Sequence, residues 1–296
     1  MVAKLKKLPT FERIDEPPIM QFMPRDGWIL EAVHRHEGFL SEGQIARLHF
    51  KGVNLRTVRE RLGKLYQNGF LARPDKQWRA MLPEMIYWLG VRGAEYIAGL
   101  SGELPTPALT RPPPRGLVPH NLLLNDVRIA IGSALLPGME IERWVSEREF
   151  QRRTDTVKYS NGGKVESRQV KPDGYGQIVY NKTRFRFLLE LDRGNEDVGR
   201  FMREKVYPGV AYVTSDEYGE RFGFKQGRWL VVTTSSKHAV NLRNAAAVIG
   251  DATKCFYFTT LESALQKNPL TDPIWLWPLS KESGALFGSQ AFETKN

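Results

Sequence analysis

The sequence predicts a mixed α/β protein in which an N-terminal winged helix-turn-helix is followed by a mixed β-sheet with helices on its faces. Three observations carry this expectation. A proline-rich stretch at 101–118, with Pro105, Pro107, Pro112, Pro113 and Pro114, excludes a long helix or a central strand and separates two segments. Before it apolar residues recur at helical spacing, and after it strand-like runs alternate with helical ones. The 296 residues are 41% hydrophobic and 26% charged, which is apolar enough to bury two cores and unlike a disordered tail.

Four segments follow: an extended arm at 1–24, a winged helix-turn-helix at 25–100, the linker at 101–118 and an α/β domain at 119–296. In the arm, Pro9, Pro17, Pro18 and Pro24 interrupt mixed charges, so little core is expected there. Its first residues carry Lys4, Lys6 and Lys7 without the apolar run of a signal peptide, and no stretch approaches the roughly 18 apolar residues of a membrane span. The single cysteine, Cys255, lies in the apolar run Cys255-Phe256-Tyr257-Phe258 and excludes an internal disulfide and a cysteine-rich zinc site. A cytoplasmic location is expected.

In the second segment, Trp28, Ile29, Ala32 and Val33 mark a first helix, and Ser41 is placed to cap a second that contains Ile45, Ala46 and Leu48. A stronger third helix runs from Leu55 to Asn68 and stops at Gly69. Trp78–Leu82 and Ile86–Leu89 then read as strands of a hairpin. At about 100° per residue, Leu55, Val58, Leu62, Leu65 and Tyr66 gather on one side of the third helix. Arg56, Thr57, Glu60 and Lys64 take the other side, with Arg59 and Arg61 flanking the apolar stripe.

A positive outer face is what a helix lying in the major groove of DNA requires. The candidate contacts are therefore Arg56, Thr57, Arg59, Arg61 and Lys64 on the helix and Arg73, Lys76 and Arg79 in the wing. The net charge of +10 and a pI near 9.6 favour an anionic partner. Positive charge is denser at the start: residues 1–100 carry 16 Lys and Arg against 11 Asp and Glu, and residues 119–296 carry 25 against 21. The plainer alternative is that any surface helix shows a charged face and that winged helices also dock proteins.

Past the linker, Leu123, Val127 and Ala130 mark a helix. Strands are expected at 141–150, 176–180, 185–192, 229–234 and 255–259, with helices within 197–213 and 237–249. Pro172-Asp173 precedes one strand, and Glu190-Leu191-Asp192 ends the next. Alternation puts Glu190 and Asp192 on one face. If the two strands form a hairpin, Asp173 and Glu190 come within reach of one Mg²⁺ or Mn²⁺, ions that prefer carboxylate oxygen.

Glu147 or Glu149 would add a third ligand, and Lys205 or Arg193 the cation that steadies charge on a phosphate being cleaved. This makes Glu147, Asp173, Glu190 and Asp192 the metal candidates, and Asp173, Glu190 and Lys205 the catalytic ones. Against this, acidic residues at strand ends are commonly turn or cap residues. His34 and His36, two apart, do not share a helix face. Trp275 and Trp277 read as core cover rather than base-stacking platforms. Lys158–Arg168, around Asn161-Gly162-Gly163, reads as a basic hairpin tip open to phosphate.

Pro172-Asp173 followed by Glu190-x-Asp192 resembles the PD-(D/E)xK nuclease superfamily, whose Asp and Glu bind metal and whose lysine follows two positions later. Here that position is Asp192, and Lys205 is the candidate replacement. More specifically, several features in order resemble the replication-relaxation family over most of residues 25–280. They are the N-terminal winged helix, the His120…Asn125-Asp126 helix, Trp144 with Glu147, Pro172-Asp173-Gly174, and Glu190-Leu191-Asp192-Arg193-Gly194-Asn195-Glu196 followed by Lys205 and Tyr207.

The resemblance implies a restriction-endonuclease-like second domain and a DNA-binding role in replication, mobilisation or relaxation of a plasmid or mobile element. Double-stranded DNA, a relaxase or replication protein, and a second copy of the chain are the implied partners. Three functions stay open on sequence: a DNA-binding protein, a Mg²⁺-dependent endonuclease using Asp173 and Glu190, and a protein-docking adaptor.

Overall fold

The computed structural model describes residues 8–194 and 197–287. Asn195 and Glu196, which close the motif after Glu190, and the lysines of the first seven residues lie outside the described residues. The chain forms two compact units, Met1–Asn125 and Asp126–Asn296, of mixed α/β structure. No described helix is long and apolar enough to cross a membrane.

The N-terminal unit runs α1 (Pro24–Arg35), β1 (Phe39–Ser41), α2 (Glu42–His49), α3 (Leu55–Gln67), β2 (Leu71–Ala72), α4 (Lys76–Ala80), β3 (Ile86–Leu89), α5 (Val91–Ser101) and a short α6 (Pro107–Thr110). Pro24 opens α1 with its φ already helical. The Ser41 hydroxyl accepts from Gln44 N (3.2 Å) while Gln44 reaches back to Ser41 N, a reciprocal cap that starts α2. Asn54 starts α3 by accepting from Arg56 N (2.7 Å). The three short strands pair antiparallel in the order β1-β3-β2. Ile29, Leu30, Val33, Val58, Leu62 and Leu65 are fully buried between them and the helices.

Three expectations change here. Trp78–Leu82 is not a strand: Asp75 accepts from Trp78 N (2.7 Å) and nucleates α4, which sinks Trp78 against Trp88, with ring centroids 5.7 Å apart. Ile86–Leu89 instead pairs with Leu71–Ala72. Leu55 is 48% exposed, because it is the first helical residue and the buried stripe begins one turn later at Val58.

The arm contributes little core but is tied down by hydrogen bonds. Gln67 Nε2 donates to the carbonyls of Pro9 (2.9 Å) and Glu12 (2.8 Å), and Arg13 donates to those of Tyr66 and Leu71 (3.0 Å each). Helix α5 had no counterpart in the sequence reading. It lies so close to the chain at Phe70 that a Cβ on Gly93 would sit 2.1 Å from that carbonyl oxygen.

The second unit contains α7 (Val118–Ser133, from Asp126 onward), β4 (Glu140–Ser146), α8 (Glu147–Arg152), β5 (Asp155–Asn161), β6 (Lys164–Val170), β7 (Gly174–Tyr180) and β8 (Thr183–Asp192). It continues with α9 (Val198–Phe201), a π-helical turn (Met202–Val206), α10 (Tyr207–Val213), α11 (Asp216–Phe222), β9 (Arg228–Thr233) and α12 (Ser236–Ala246). The last elements are α13 (Ala252–Cys255), β10 (Phe256–Thr260), α14 (Leu261–Gln266), β11 (Trp275–Leu276) and β12 (Ser283–Gly284).

Seven strands make one mixed sheet in the order β12-β11-β10-β9-β8-β7-β4, parallel only across β8-β9-β10, where helices make the crossovers. One face packs Leu188, Trp229, Val231, Phe256 and Phe258 beneath Tyr212 and Leu242. The strand expected at 141–150 stops at Ser146, where a Ser146–Glu149 capping box turns the chain into α8.

Lys158 and Arg168 sit on the β5–β6 ribbon, which turns at Gly162 and Gly163. Trp275 is buried and donates to Pro269 O (2.8 Å), whereas Trp277 is partly exposed, edge-on to Tyr257. Burial pushes the Cys255 thiol up to about 12, so it packs as an inert apolar group.

Candidate nucleic-acid interface and carboxylate site

The eight predicted DNA contacts divide into two groups. Arg56 is 85% exposed, and its one charged partner among the described residues is Glu60 on the same helix (3.0 Å). Thr57 and Lys64 stand outward on the same face, and Lys76 is exposed at the first position of α4. Arg59 is also exposed but reaches Glu42 on α2 (2.8 Å).

The other three point inward. Arg61 clasps the fully buried Asp26 of α1 with two N–H groups, one at 2.7 Å from Oδ1, and donates to Gln21 O (2.8 Å). Arg73 lies 3.8 Å over the Tyr66 ring and donates to Pro9 O (3.2 Å). Arg79 closes its own turn by donating to Leu82 O (2.7 Å). His49, at the end of α2, has a buried Nε2 with no hydrogen-bond partner among the described residues. Burial, helped by the charge of Arg25, lowers its pKa from the ordinary 6.5 to about 4, so it is neutral near pH 7.

In the second unit the expected hairpin of Asp173 and Glu190 forms. Gly174 pairs with Leu189, Asp173 N donates to Leu189 O (2.9 Å), and the Asp173 carboxylate accepts from Leu191 N (2.6 Å). Asp173 therefore brackets Glu190 across the strand pair. Glu190 is buried and meets Lys205 Nζ at 2.6 Å.

Lys205 reaches it from the π-helical turn just before Pro208. Proline cannot donate to the carbonyl four residues back, and the widened turn is the local answer to that missing bond. Asp192, on the same face, accepts from Gly194 N (2.7 Å) and pairs with His238 Nε2 (2.6 Å) in the first turn of α12.

A profile described as replication-relaxation matches residues 30–219, from α1 through α11. The chain belongs to the replication-relaxation family. That membership associates it with the replication or relaxation of a plasmid or mobile element. No curated protein and no solved structure matches the chain. The family match includes α3, Asp173, Glu190 and Lys205, and it ends before His238.

Among the described residues the four carboxylates expected as metal ligands do not stand together in one cluster. Glu147 starts α8 beside the β4–β7 pairing Ser146↔Gly174, so the sheet brings its backbone to the same end as Asp173, yet its carboxylate accepts from Gln151 within its own helix (2.8 Å). Glu149 is spent on the Ser146 cap. Among the described residues no group of three or more His, Cys, Asp and Glu is arranged to hold a metal ion. The fourfold set Glu147, Asp173, Glu190 and Asp192 is thus not assembled as one centre.

What the fold assembles along this face is the Glu190–Lys205 ion pair and the Asp192–His238 hydrogen bond. A cleft of about 460 Å³ opens beside it, lined by Arg168, Lys171, Glu204, Lys205 and Trp229. His238 was missed in the sequence because its partner is 46 residues away, and no local spacing signals it. Arg193 is exposed, and its carbonyl accepts from the Thr234 hydroxyl (3.0 Å).

Proposed function

We propose that this family member is a duplex-DNA-binding protein of a plasmid or other mobile element, in which α2 and α3 act as a winged helix-turn-helix and α3 enters the major groove. The observation that carries the reading is the outer face of α3. Arg56, Thr57, Arg59 and Lys64 project there from a helix whose other face is fully committed to the core. Lys51, exposed in the turn before it, and the positive end of the helix dipole add to the attraction for phosphate. Long cations on a rigid helix supply both backbone contacts, which position, and base-edge contacts, which specify.

The second unit, in this reading, is a scaffold or an additional DNA contact. Glu190 already has a cationic partner, Lys205, from its own chain, which supports binding without cleavage. The endonuclease reading also has an observation in its favour: Asp173 and Glu190 lie on adjacent strands with Lys205 against Glu190.

Two measurements on the full chain separate these readings: duplex binding across a salt series, and incubation of supercoiled plasmid with Mg²⁺ or Mn²⁺, with chelator, and with Asp173→Ala. Expected are binding that weakens steeply with salt, by about 0.9 log unit per log unit of salt for each phosphate contact, and intact plasmid. Metal-dependent nicking lost in Asp173→Ala would install the endonuclease instead. Binding insensitive to salt would point to the docking adaptor.

A further inference from the structure

We infer that the N-terminal end of β8 carries a second, separate surface, formed by Arg143, Arg186 and Phe224, that holds an unpaired strand of nucleic acid. The inference rests on the proposed function only in taking nucleic acid as the ligand; it involves neither α3 nor the carboxylates.

The strand register builds the surface. Arg143 pairs with Gln177 and Gln177 with Arg186, one row across β4, β7 and β8, which puts the two arginine Cα atoms about 10 Å apart at the usual strand spacing. Arg228, on β9 opposite Phe187, belongs to the other face of the sheet. Arg186 is six residues from Asp192 along β8, about 20 Å at the rise of an extended chain, so this is the opposite end of the sheet from Glu190 and Asp192.

Each guanidinium is steadied by aromatic rings. Arg143 lies 5.9 Å from the Tyr175 ring and 5.5 Å from Phe222, and Arg186 lies 4.5 Å over Phe224. Their remaining bonds go to neutral acceptors: Arg143 to Arg221 O (3.3 Å) and Arg186 Nε to Gln177 Oε1 (2.9 Å). Neither is ion-paired with a carboxylate among the described residues. Neighbouring cations are. Arg184 grips Glu142 through two bonds (2.7 and 2.8 Å), and Lys225 meets Asp216 at 2.5 Å.

The fold thus neutralises some cations at this end and holds two ready by stacking and by bonds to neutral acceptors. A guanidinium stacked on a ring keeps its N–H edge for a phosphate. Phe224 completes the chemistry. At 47% exposed it leaves much of an aromatic ring in water, which costs free energy in the isolated protein, and it offers a stacking platform for a base. Phosphate-seeking cations next to an exposed aromatic match a strand whose bases are unstacked, whereas the bases of a duplex cannot reach such a ring.

The test uses the full chain with a labelled unpaired DNA oligonucleotide, the RNA of the same sequence, and the duplex. Phe224→Ala should weaken unpaired-strand binding by roughly 5- to 150-fold. Arg143→Gln with Arg186→Gln should lower the salt slope on that strand by about 1.4, near 0.7 for each lost phosphate. Duplex affinity should be unchanged in all of them.

Should loss of the Arg143 stack unsettle the fold, Arg186→Gln alone carries the same expectation for one phosphate, a fall in the salt slope of about 0.7. Equal tightness for RNA and DNA would support the surface. Unpaired-strand binding that survives in the folded variants, or falls in step with duplex binding, would overturn it. Failure of the duplex reading shows separately, as weak duplex binding by the wild-type chain.

Discussion

On α3 the charges face outward and hold weak partners, while at the end of β8 they face inward and hold strong ones. Arg56 shares water with Glu60, an exposed pair of the kind worth about 0–1 kcal/mol, so a ligand can replace the partner at little cost. Glu190 and Asp192 are buried against Lys205 and His238, and removing one member of such a pair strands a charge away from water. Hence a cation on α3 is available to a phosphate, and a carboxylate on β8 is already answered by its own chain. The contrast recurs inside α3, where Arg61 behaves like the β8 residues because Asp26 lies behind it.

The strongest way to break this comparison is to swap the expected consequences of Arg61 and Arg56. Arg61→Ala should lower the stability of the N-terminal unit by about 3–5 kcal/mol in urea unfolding, because Asp26 is left buried and unanswered. Arg56→Ala should leave the unfolding midpoint in place. Equal stability losses would mean that the inward and outward cations are not distinct.

Next in size, Lys205→Met should cost about 3 kcal/mol, the lower end because Lys205 is partly exposed, and adding Glu190→Gln should recover most of the loss. If the double variant is no better than the single, the pair is not what holds Lys205 in place. The third effect is on binding: Arg56→Ala and Lys64→Ala should each weaken duplex affinity by about 1–3 kcal/mol where the side chain reads a base, or reduce the salt slope by about 0.9 where it meets only phosphate. Affinity unchanged in both would locate the interface elsewhere.

The smallest effect is a pH dependence from His49. Its folded-state pKa, about 4, lies below the ordinary 6.5, so between those values the unfolded chain binds the extra proton and stability rises with pH. Stability should be fully present above 6.5 and decline as pH falls toward 4. His49→Gln should flatten that slope in unfolding curves taken across the window.

Much of this was legible in the sequence because it is local. The α3 stripe from Val58 to Tyr66 and the outward set Arg56, Thr57 and Lys64 follow from helical period, and the β7–β8 hairpin follows from two apolar runs with Asp173 before one and Glu190 at the end of the other. Misreadings came where a short cap outweighed a β-like run: Asp75 turned Trp78 into a helix, and Ser146 with Glu149 did the same to the end of the expected strand at 141–150. Leu55 was placed on the stripe by its phase, but its position ahead of the first buried turn exposes it.

By itself the sequence determined the mixed α/β class, the face of α3 that carries charge and the shared face of Glu190 and Asp192, since each depends on periods of two or 3.6 residues along a continuous segment. Only the tertiary structure decided that Arg61 turns inward to Asp26, 35 residues earlier, that His238 meets Asp192, 46 residues before it, and that Arg143 and Arg186 stand in one row across three strands. A charge's partner depends on which distant segments the packing of the core brings together, and no local period records that.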